Sequence, residues 1–115
     1  MPVIDPTTLA DEGIFEMQSL VSEVSFRLKD IQSIKVRVKI WRTAESHGGD
    51  DFLYTVSHFV QTPVQASAYF SSSPFGASAQ AAAKKAIDDT TTFVKGAIEA
   101  GHSPSEEWLK PNEDF

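Results

Sequence analysis

Cysteine is absent from the 115-residue sequence, which excludes disulfide bonds, thiol nucleophiles and zinc sites built on cysteine. Its absence is compatible with a reducing compartment, and we expect a cytoplasmic protein. No apolar run reaches the length of about 18 residues that a membrane span needs, and the first residues do not resemble a signal peptide. Glycine-rich phosphate loops, nucleophile elbows and helical zinc-binding pairs are missing too. We therefore expect neither an enzyme nor a protein with a cofactor or a bound metal.

The composition is that of a folded, acidic domain. Hydrophobic residues make up 41% and charged residues 23%, a balance typical of globular rather than disordered chains. The length suits a single domain over residues 1–115. The net charge is −6, but residues 27–42 carry six basic side chains against one acid, so this segment is +5 and the remainder is −11. Basic charge is therefore concentrated in one part of the predicted fold.

Residues 34–41 carry the clearest secondary-structure signal, a period of two. Apolar positions alternate there with basic or aromatic ones: Ile34, Val36, Val38 and Ile40 against Lys35, Arg37, Lys39 and Trp41. This alternation predicts a half-buried strand. Two more strands are predicted over 52–61 and 64–71, with a turn over 43–51 before them and Thr62-Pro63 between them. Because both connections are short, an antiparallel meander of three strands is expected.

Helices are predicted before and after these strands. Residues 14–31 carry apolar side chains at spacings of three and four, which favours a helix. The alternation of Val24, Phe26 and Leu28 favours a strand instead, but the helical pattern matches more positions. The alanine-rich segment 78–100 predicts a long helix that ends at the glycine following it.

Short helical turns are predicted near both ends of the chain. Asp5-Pro6 is a typical helix start and favours a short helix over 6–12. The segment Ser103-Pro104-Ser105-Glu106 has the form of a capping box and predicts a last turn over 104–109 that carries Trp108. These turns would flank the main elements.

The resulting order, α-β-β-β-α, predicts an α+β fold in which both helices cover one face of the meander, as a two-layer sandwich. Over residues 14–100 this order resembles that of double-stranded-RNA-binding domains, and the resemblance implies the same layering. That family carries a lysine cluster at the start of its last helix. Here residues 78–83 hold no lysine, and Lys84-Lys85 are followed by Asp88-Asp89. The resemblance therefore implies a topology and does not favour duplex RNA binding.

The two faces of the predicted sheet follow from the alternation. Aligning the apolar positions pairs Val36 with His58, Val38 with Val56, and Ile40 with Tyr54. A shift of one residue would bury the basic side chains of the first strand, which is prohibitive. The predicted core face comprises Val36, Val38, Ile40, Phe52, Tyr54, Val56, Val60, Val64, Ala66, Ala68 and Phe70.

The opposite face supplies the candidate partner-binding residues, a basic row with three aromatic side chains: Lys35, Arg37, Lys39, Trp41, Phe59 and Tyr69. An open face of this kind is a common interface, so we expect a small non-catalytic protein–protein interaction module, acting as a homodimer, adaptor or inhibitor. The alternative is a nucleic-acid-binding protein that uses the same face, for single strands rather than duplexes. A solvated sheet face would show the same alternation, with its aromatic side chains covered by the C-terminal Trp108 and Phe115 or by a second copy.

A third hypothesis is a small-molecule or metal-dependent enzyme built around the loop 46–51 and His58. His47 and Asp50-Asp51 place nitrogen and oxygen ligands in one loop, but their spacing is irregular, and a polar turn accounts for them. His58 is predicted at the edge of the core, where a hydrogen-bonded side chain is more common than a catalytic base. Catalysis is therefore the least supported class of function.

Overall fold

The computed structural model of the protein describes residues 4–44 and 48–115. Over these residues it is an α+β fold with an antiparallel four-stranded sheet, one long helix and no closed barrel, which confirms the predicted fold class. The elements are β1 (Gln18–Leu28), β2 (Ile31–Thr43), β3 (Phe52–Val56), β4 (His58–Val60), β5 (Phe75–Gly76), α1 (Ala79–Glu99) and β6 (Leu109–Pro111), with short 3-10 helices at Pro6–Thr8 and Glu106–Trp108.

Strand β2 lies inside the main sheet, between β1 and β3. The strand order is β1-β2-β3-β5, and every neighbouring pair is antiparallel. Lys29-Asp30 form the turn of the hairpin between β1 and β2. Val38 pairs with Val56, and Ile40 pairs with Tyr54, as the alternation predicts. Burial of one apolar set therefore determines the register at which β2 meets β3.

Helix α1 covers one face of this sheet, the inner face. Val36, Val38 and Ile40 are buried almost completely on that face, and each contributes about 1.5–3 kcal/mol by leaving water. The helix buries mostly small side chains: Ala82, Ala86, Thr90, Val94 and Ala97. Small residues let the helix backbone lie close to the sheet. Trp108 and Leu109 complete the core near Val94 and Ala97.

The ends of α1 agree closely with the predicted helix over 78–100. The Ser78 hydroxyl accepts a hydrogen bond from the Ala81 N–H at 3.0 Å, which caps the first turn. Gly101 follows the last turn with φ +95°, a conformation that side chains rarely adopt. Among the described residues, neither α1 nor any other helix combines the length and apolar character needed to cross a membrane.

The two predicted terminal turns are present but shorter than predicted. Asp5 caps the first by accepting from the Thr7 N–H at 3.0 Å, and the turn ends at Thr8. In the second, the cap is Ser105, whose hydroxyl accepts from the Glu107 N–H at 3.2 Å. Both are single 3-10 turns of three residues.

The predicted helix over 14–31 is wrong, because most of this segment forms strand β1. The inner-face pairs Val24–Val38 and Phe26–Val36 join it to β2. Pairing along β2 supplies backbone hydrogen bonds and a shared apolar face, whereas three serines weaken the segment as a helix. The α-β-β-β-α order and the layer of two helices are therefore not found.

The second predicted strand is interrupted at Ser57. The Ser57 N–H donates to the Arg37 carbonyl at 2.8 Å, and its hydroxyl accepts from the Arg37 N–H at 2.7 Å. Beyond this corner the chain leaves the main sheet, and β4 pairs with β6 in a separate two-stranded sheet. The predicted pair of Val36 with His58 is therefore wrong, and His58 lies opposite Pro111.

The third predicted strand, over 64–71, is not a strand. The Gln65 side chain accepts from the Thr62 N–H at 2.8 Å and closes a turn, and the alanines and serines that follow offer little apolar area to a sheet. Val64 and Phe70, assigned above to the core face, are 54% and 64% exposed. The fourth strand of the main sheet is instead β5, which lies between the predicted third strand and the helix.

Gly76→Ala is expected to destabilise the fold by about 1–3 kcal/mol. A Cβ at this position of β5 would lie 2.6 Å from the backbone nitrogen of Ala82, so the sheet and the helix would have to separate. The matched control is Gly96→Ala inside α1, where a Cβ would meet nothing within 4 Å. This control should stabilise the protein by about 0.5–1 kcal/mol. Urea unfolding measures both, and a Gly76→Ala variant as stable as the wild type would contradict the close approach.

Candidate functional site

The face of the main sheet opposite α1, the outer face, carries a row of apolar side chains. Leu20 pairs with Trp41, Trp41 with Leu53, and Leu53 with Phe75. Cross-strand partners point to the same side of a sheet, so these four residues form one line across β1, β2, β3 and β5. We call them the apolar row.

The apolar row is partly open to solvent. Leu20 is 49% exposed, and Trp41 and Leu53 are half-buried against their neighbours. The Trp41 indole N–H donates to the Thr55 hydroxyl at 3.0 Å. Because this bond satisfies the polar atom of the side chain, the rest of the indole is an apolar contact surface. Such a surface fits a partner that brings apolar groups of its own.

A charged patch of Glu23, Arg37 and Lys39 lies beside the apolar row. The Arg37 guanidinium donates two hydrogen bonds to the Glu23 carboxylate, both at 2.9 Å. These bonds, more than the nearby lysine charges, hold the pKa of Glu23 below its usual value. The same pair raises the pKa of Arg37. One basic side chain of the predicted row is therefore engaged within the protein.

The C-terminal segment lies over this patch. The Asn112 side-chain amide donates to the Val56 carbonyl at 2.8 Å, which holds the segment against the end of β3. Phe115 then lies on the basic side chains, with its ring centroid 4.1 Å from Lys39 Nζ and 5.0 Å from the Arg37 guanidinium carbon. Lys39 also donates to the Phe115 carbonyl at 3.0 Å. Cation–π contacts thus cover part of the basic row.

Four of the six predicted binding residues share the outer face. Lys35, Arg37 and Lys39 alternate with buried residues along β2, and Trp41 follows them on the same side. Lys35 is exposed, and it is close enough to Glu23 to lower the pKa of that carboxyl group.

Phe59 and Tyr69 do not belong to the outer face, so their inclusion is corrected. Phe59 lies on β4, which has left the main sheet, and its ring is 4.4 Å from that of Phe70. Tyr69 packs against Phe93 of α1 at 4.8 Å, because residues 64–71 form no strand that would turn it outward. Both side chains therefore pack on the inner side of the molecule.

Leu20, Glu23 and Phe75 also belong to this site, although the sequence did not predict them as parts of it. The alternation around Val24 was the signal that could have placed the first two, because strand pairing brings them beside β2. No local signal marks Phe75, and the sequence predicts a cover by Phe115 only as one of several alternatives, since both positions depend on partners distant in the sequence. The outer face therefore assembles from segments that are far apart along the chain.

A pocket of about 180 Å³ lies on the inner side of the molecule, between α1 and strands β3 and β4. Tyr54 and Asp89 line it together with Phe59 and Phe70, and the Tyr54 hydroxyl donates to the Asp89 carboxylate at 2.7 Å. Burial and this bond raise the pKa of Tyr54, so the phenol stays protonated and remains the donor.

His58, a candidate in the third hypothesis, is half-buried beside this pocket. Its Nδ1 lies 2.8 Å from the Ser57 hydroxyl, and burial lowers the pKa of the imidazole, so the ring is neutral near pH 7. In the loop 46–51, residues 46 and 47 lie outside the described residues. Within residues 4–44 and 48–115, no three acidic or histidine side chains are grouped closely enough to hold a metal ion.

Comparison with protein-family models, with curated protein sequences and with solved structures gave no match. A function for this protein therefore has to follow from the residues of the outer face, the pocket and the strand edges themselves.

Tyr54→Phe is expected to lower the free energy of unfolding by about 1 kcal/mol at neutral pH, because Asp89 loses its hydrogen-bond donor. The folded state raises the pKa of Tyr54, so this stabilisation is complete below the unfolded pKa near 10 and is lost as the pH rises above it. Phenylalanine has no proton to lose. Urea unfolding at pH 7 and about pH 10.5 should show the difference between the two proteins shrinking, and a constant difference would contradict a buried phenol.

Proposed function

We propose that this protein is a non-catalytic protein–protein interaction module whose contact surface is the outer face. The apolar row would form the centre of the interface, and the charged patch would form part of its rim. This arrangement matches the usual anatomy of interfaces, in which an apolar and aromatic centre is surrounded by polar groups that stay wet. The surface would serve an adaptor, an inhibitor or a self-associating protein.

The observation that carries the proposal is the continuity of the apolar row across all four strands of the main sheet. The solvent-facing positions of an antiparallel sheet are usually polar. Single apolar side chains among them are common and need no explanation. A line of Leu20, Trp41, Leu53 and Phe75 in consecutive register is different, because it joins single apolar residues into one surface. Trp41 stands inside this line, where a buried aromatic anchor contributes most to binding.

Nucleic-acid binding through the same face has less support. Arg37 is held by Glu23, and Lys39 is covered by Phe115, so two of the three basic side chains in the row already have partners. The whole chain carries −6, which opposes approach to a polyanion.

Trp41→Ala is expected to weaken partner binding by about 1–3 kcal/mol, or roughly 5- to 150-fold in Kd. A photoreactive residue at position 20, the most exposed part of the row, would capture the partner. The same residue at position 95, on the exposed side of α1, is the control. Calorimetry with the captured partner then gives Kd for the wild type, Trp41→Ala and the control Lys95→Ala.

Two results would contradict the proposal. One is equal capture from positions 20 and 95, and the other is a Kd that Trp41→Ala changes no more than Lys95→Ala does. Binding of a labelled single-stranded oligonucleotide that falls steeply with added salt and is lost in Lys35→Ala would favour the nucleic-acid alternative instead.

A further inference from the structure

Strand β1 is the open edge of the main sheet. It has eleven residues and pairs with β2 on one side, and within the described residues no strand pairs with it on the other. Residues 22–25 are all exposed, although they alternate between the inner and outer faces. Val24 is 37% exposed although it pairs with Val38 on the inner face. The outward backbone groups of β1 are thus available to another strand.

A strand can pair with its own copy only under a symmetry constraint. Two copies related by a two-fold axis perpendicular to the sheet meet as antiparallel strands, and each residue then faces a residue at the mirrored position. Paired residues lie on the same face in this arrangement. Both α1 helices would therefore stay on one side of a continuous sheet, and both outer faces on the other.

The side chains of β1 favour one register, centred on Ser25. In that register Glu23 faces Arg27 of the second copy, and Val24 faces Phe26 of the second copy. The charged pairs lie on the outer face and the apolar pairs on the inner face, and symmetry repeats each pair once. Opposite charges and apolar side chains placed directly across two strands are the pairs that stabilise antiparallel sheets.

Neighbouring registers lack this complementarity. Centring on Glu23 would place two carboxylates directly opposite each other. Centring on Val24 would set Glu23 opposite Ser25 and leave both Glu23 side chains without a charged partner in the second copy. Centring on Phe26 would move the partner of Glu23 to Lys29, which belongs to the hairpin turn rather than to the strand.

We propose that β1 pairs with β1 of a second copy of this chain, antiparallel and centred on Ser25, so that the two main sheets join into one of eight strands. This inference goes beyond the outer-face proposal, because the edge of β1 is not the apolar row. The joined sheet would present two apolar rows on one continuous face. Strand β1 keeps a continuous register with β2 from Ser22 to Phe26, between register shifts at Leu20/Ser22 and at Phe26/Leu28, and the proposed centre at Ser25 lies within this stretch.

Cysteine cross-linking tests the register directly, because the chain has no cysteine of its own. At the two-fold axis the Cα atoms of residue 25 would be about 4.5–5.5 Å apart, within the range of a disulfide. Ser25→Cys should therefore form a covalent dimer on mild oxidation. Ser22→Cys is the matched control, because its two copies would lie about 20 Å apart along the strands. Non-reducing electrophoresis should show at least tenfold more dimer for Ser25→Cys.

Charge reversal tests the pairing of Glu23 with Arg27 without relying on cysteine. Glu23→Arg and Arg27→Glu should each weaken self-association at least tenfold, because each places like charges across the strand pair. An equimolar mixture of the two variants should form heterodimers, since every pair is then complementary again. Native mass spectrometry distinguishes the species. Circular dichroism confirms that both variants fold, because Glu23 also bonds Arg37, and Arg27 donates to the Gln32 carbonyl within the chain.

Three results would overturn the inference: equal cross-linking of Ser25→Cys and Ser22→Cys, charge-reversal variants that self-associate like the wild type, or a wild type that is monomeric at hundreds of micromolar. Trp41→Ala should leave the cross-linking of Ser25→Cys unchanged. Loss of cross-linking with Trp41→Ala would place the self-interface on the outer face instead. The edge proposal and the outer-face proposal can therefore fail separately.

Discussion

The alternation of apolar and charged side chains along β2 is the constraint around which the structure is arranged. Val36, Val38 and Ile40 are buried beneath α1. Their burial determines which alternate residues of β2 face the core and which face outward. A shift by one residue would place Arg37 and Lys39 in the core, at a cost that no surrounding contact could offset. The charge and the aromatic character of the outer face are therefore consequences of how the inner face is buried.

The outer face is completed by segments that lie far from β2 in the sequence. Strand β1 brings Glu23 to Arg37, and the C-terminal segment brings Phe115 to Lys39. These contacts convert a basic row into a patch in which charges are paired or covered, beside a line of apolar side chains. A surface of this composition suits contact with protein more than contact with a polyanion. The open edge of β1 borders the same face, so the two proposed contact regions adjoin, and Glu23 belongs to both.

The parts of the fold that could be predicted from the sequence are those whose cause is local. Ser78 and the glycine after α1 mark the helix ends because caps satisfy backbone groups within a few residues. The pairing of Val38 with Val56 follows from matching two alternating patterns across a short loop. The segment 14–31 was misassigned because its apolar spacing fits a helix and a strand, and only the presence of β2 beside it decides between them.

The candidate site was recovered in part for the same reason. One face of β2 carries Lys35, Arg37, Lys39 and Trp41, because alternate residues of a strand point to the same side. This alternation can be recognised in the sequence. Phe59 and Tyr69 were misplaced because the chain leaves the main sheet at Ser57, a corner held by hydrogen bonds to Arg37. The sequence by itself determined the two-faced character of β2, the position of α1 and the lack of cysteine chemistry, since these depend on residue type and short-range periodicity. Only the tertiary structure decided that β1 is a strand, that the apolar row runs across four strands, and that Phe115 covers the basic side chains. These outcomes depend on contacts between segments that are distant in the sequence.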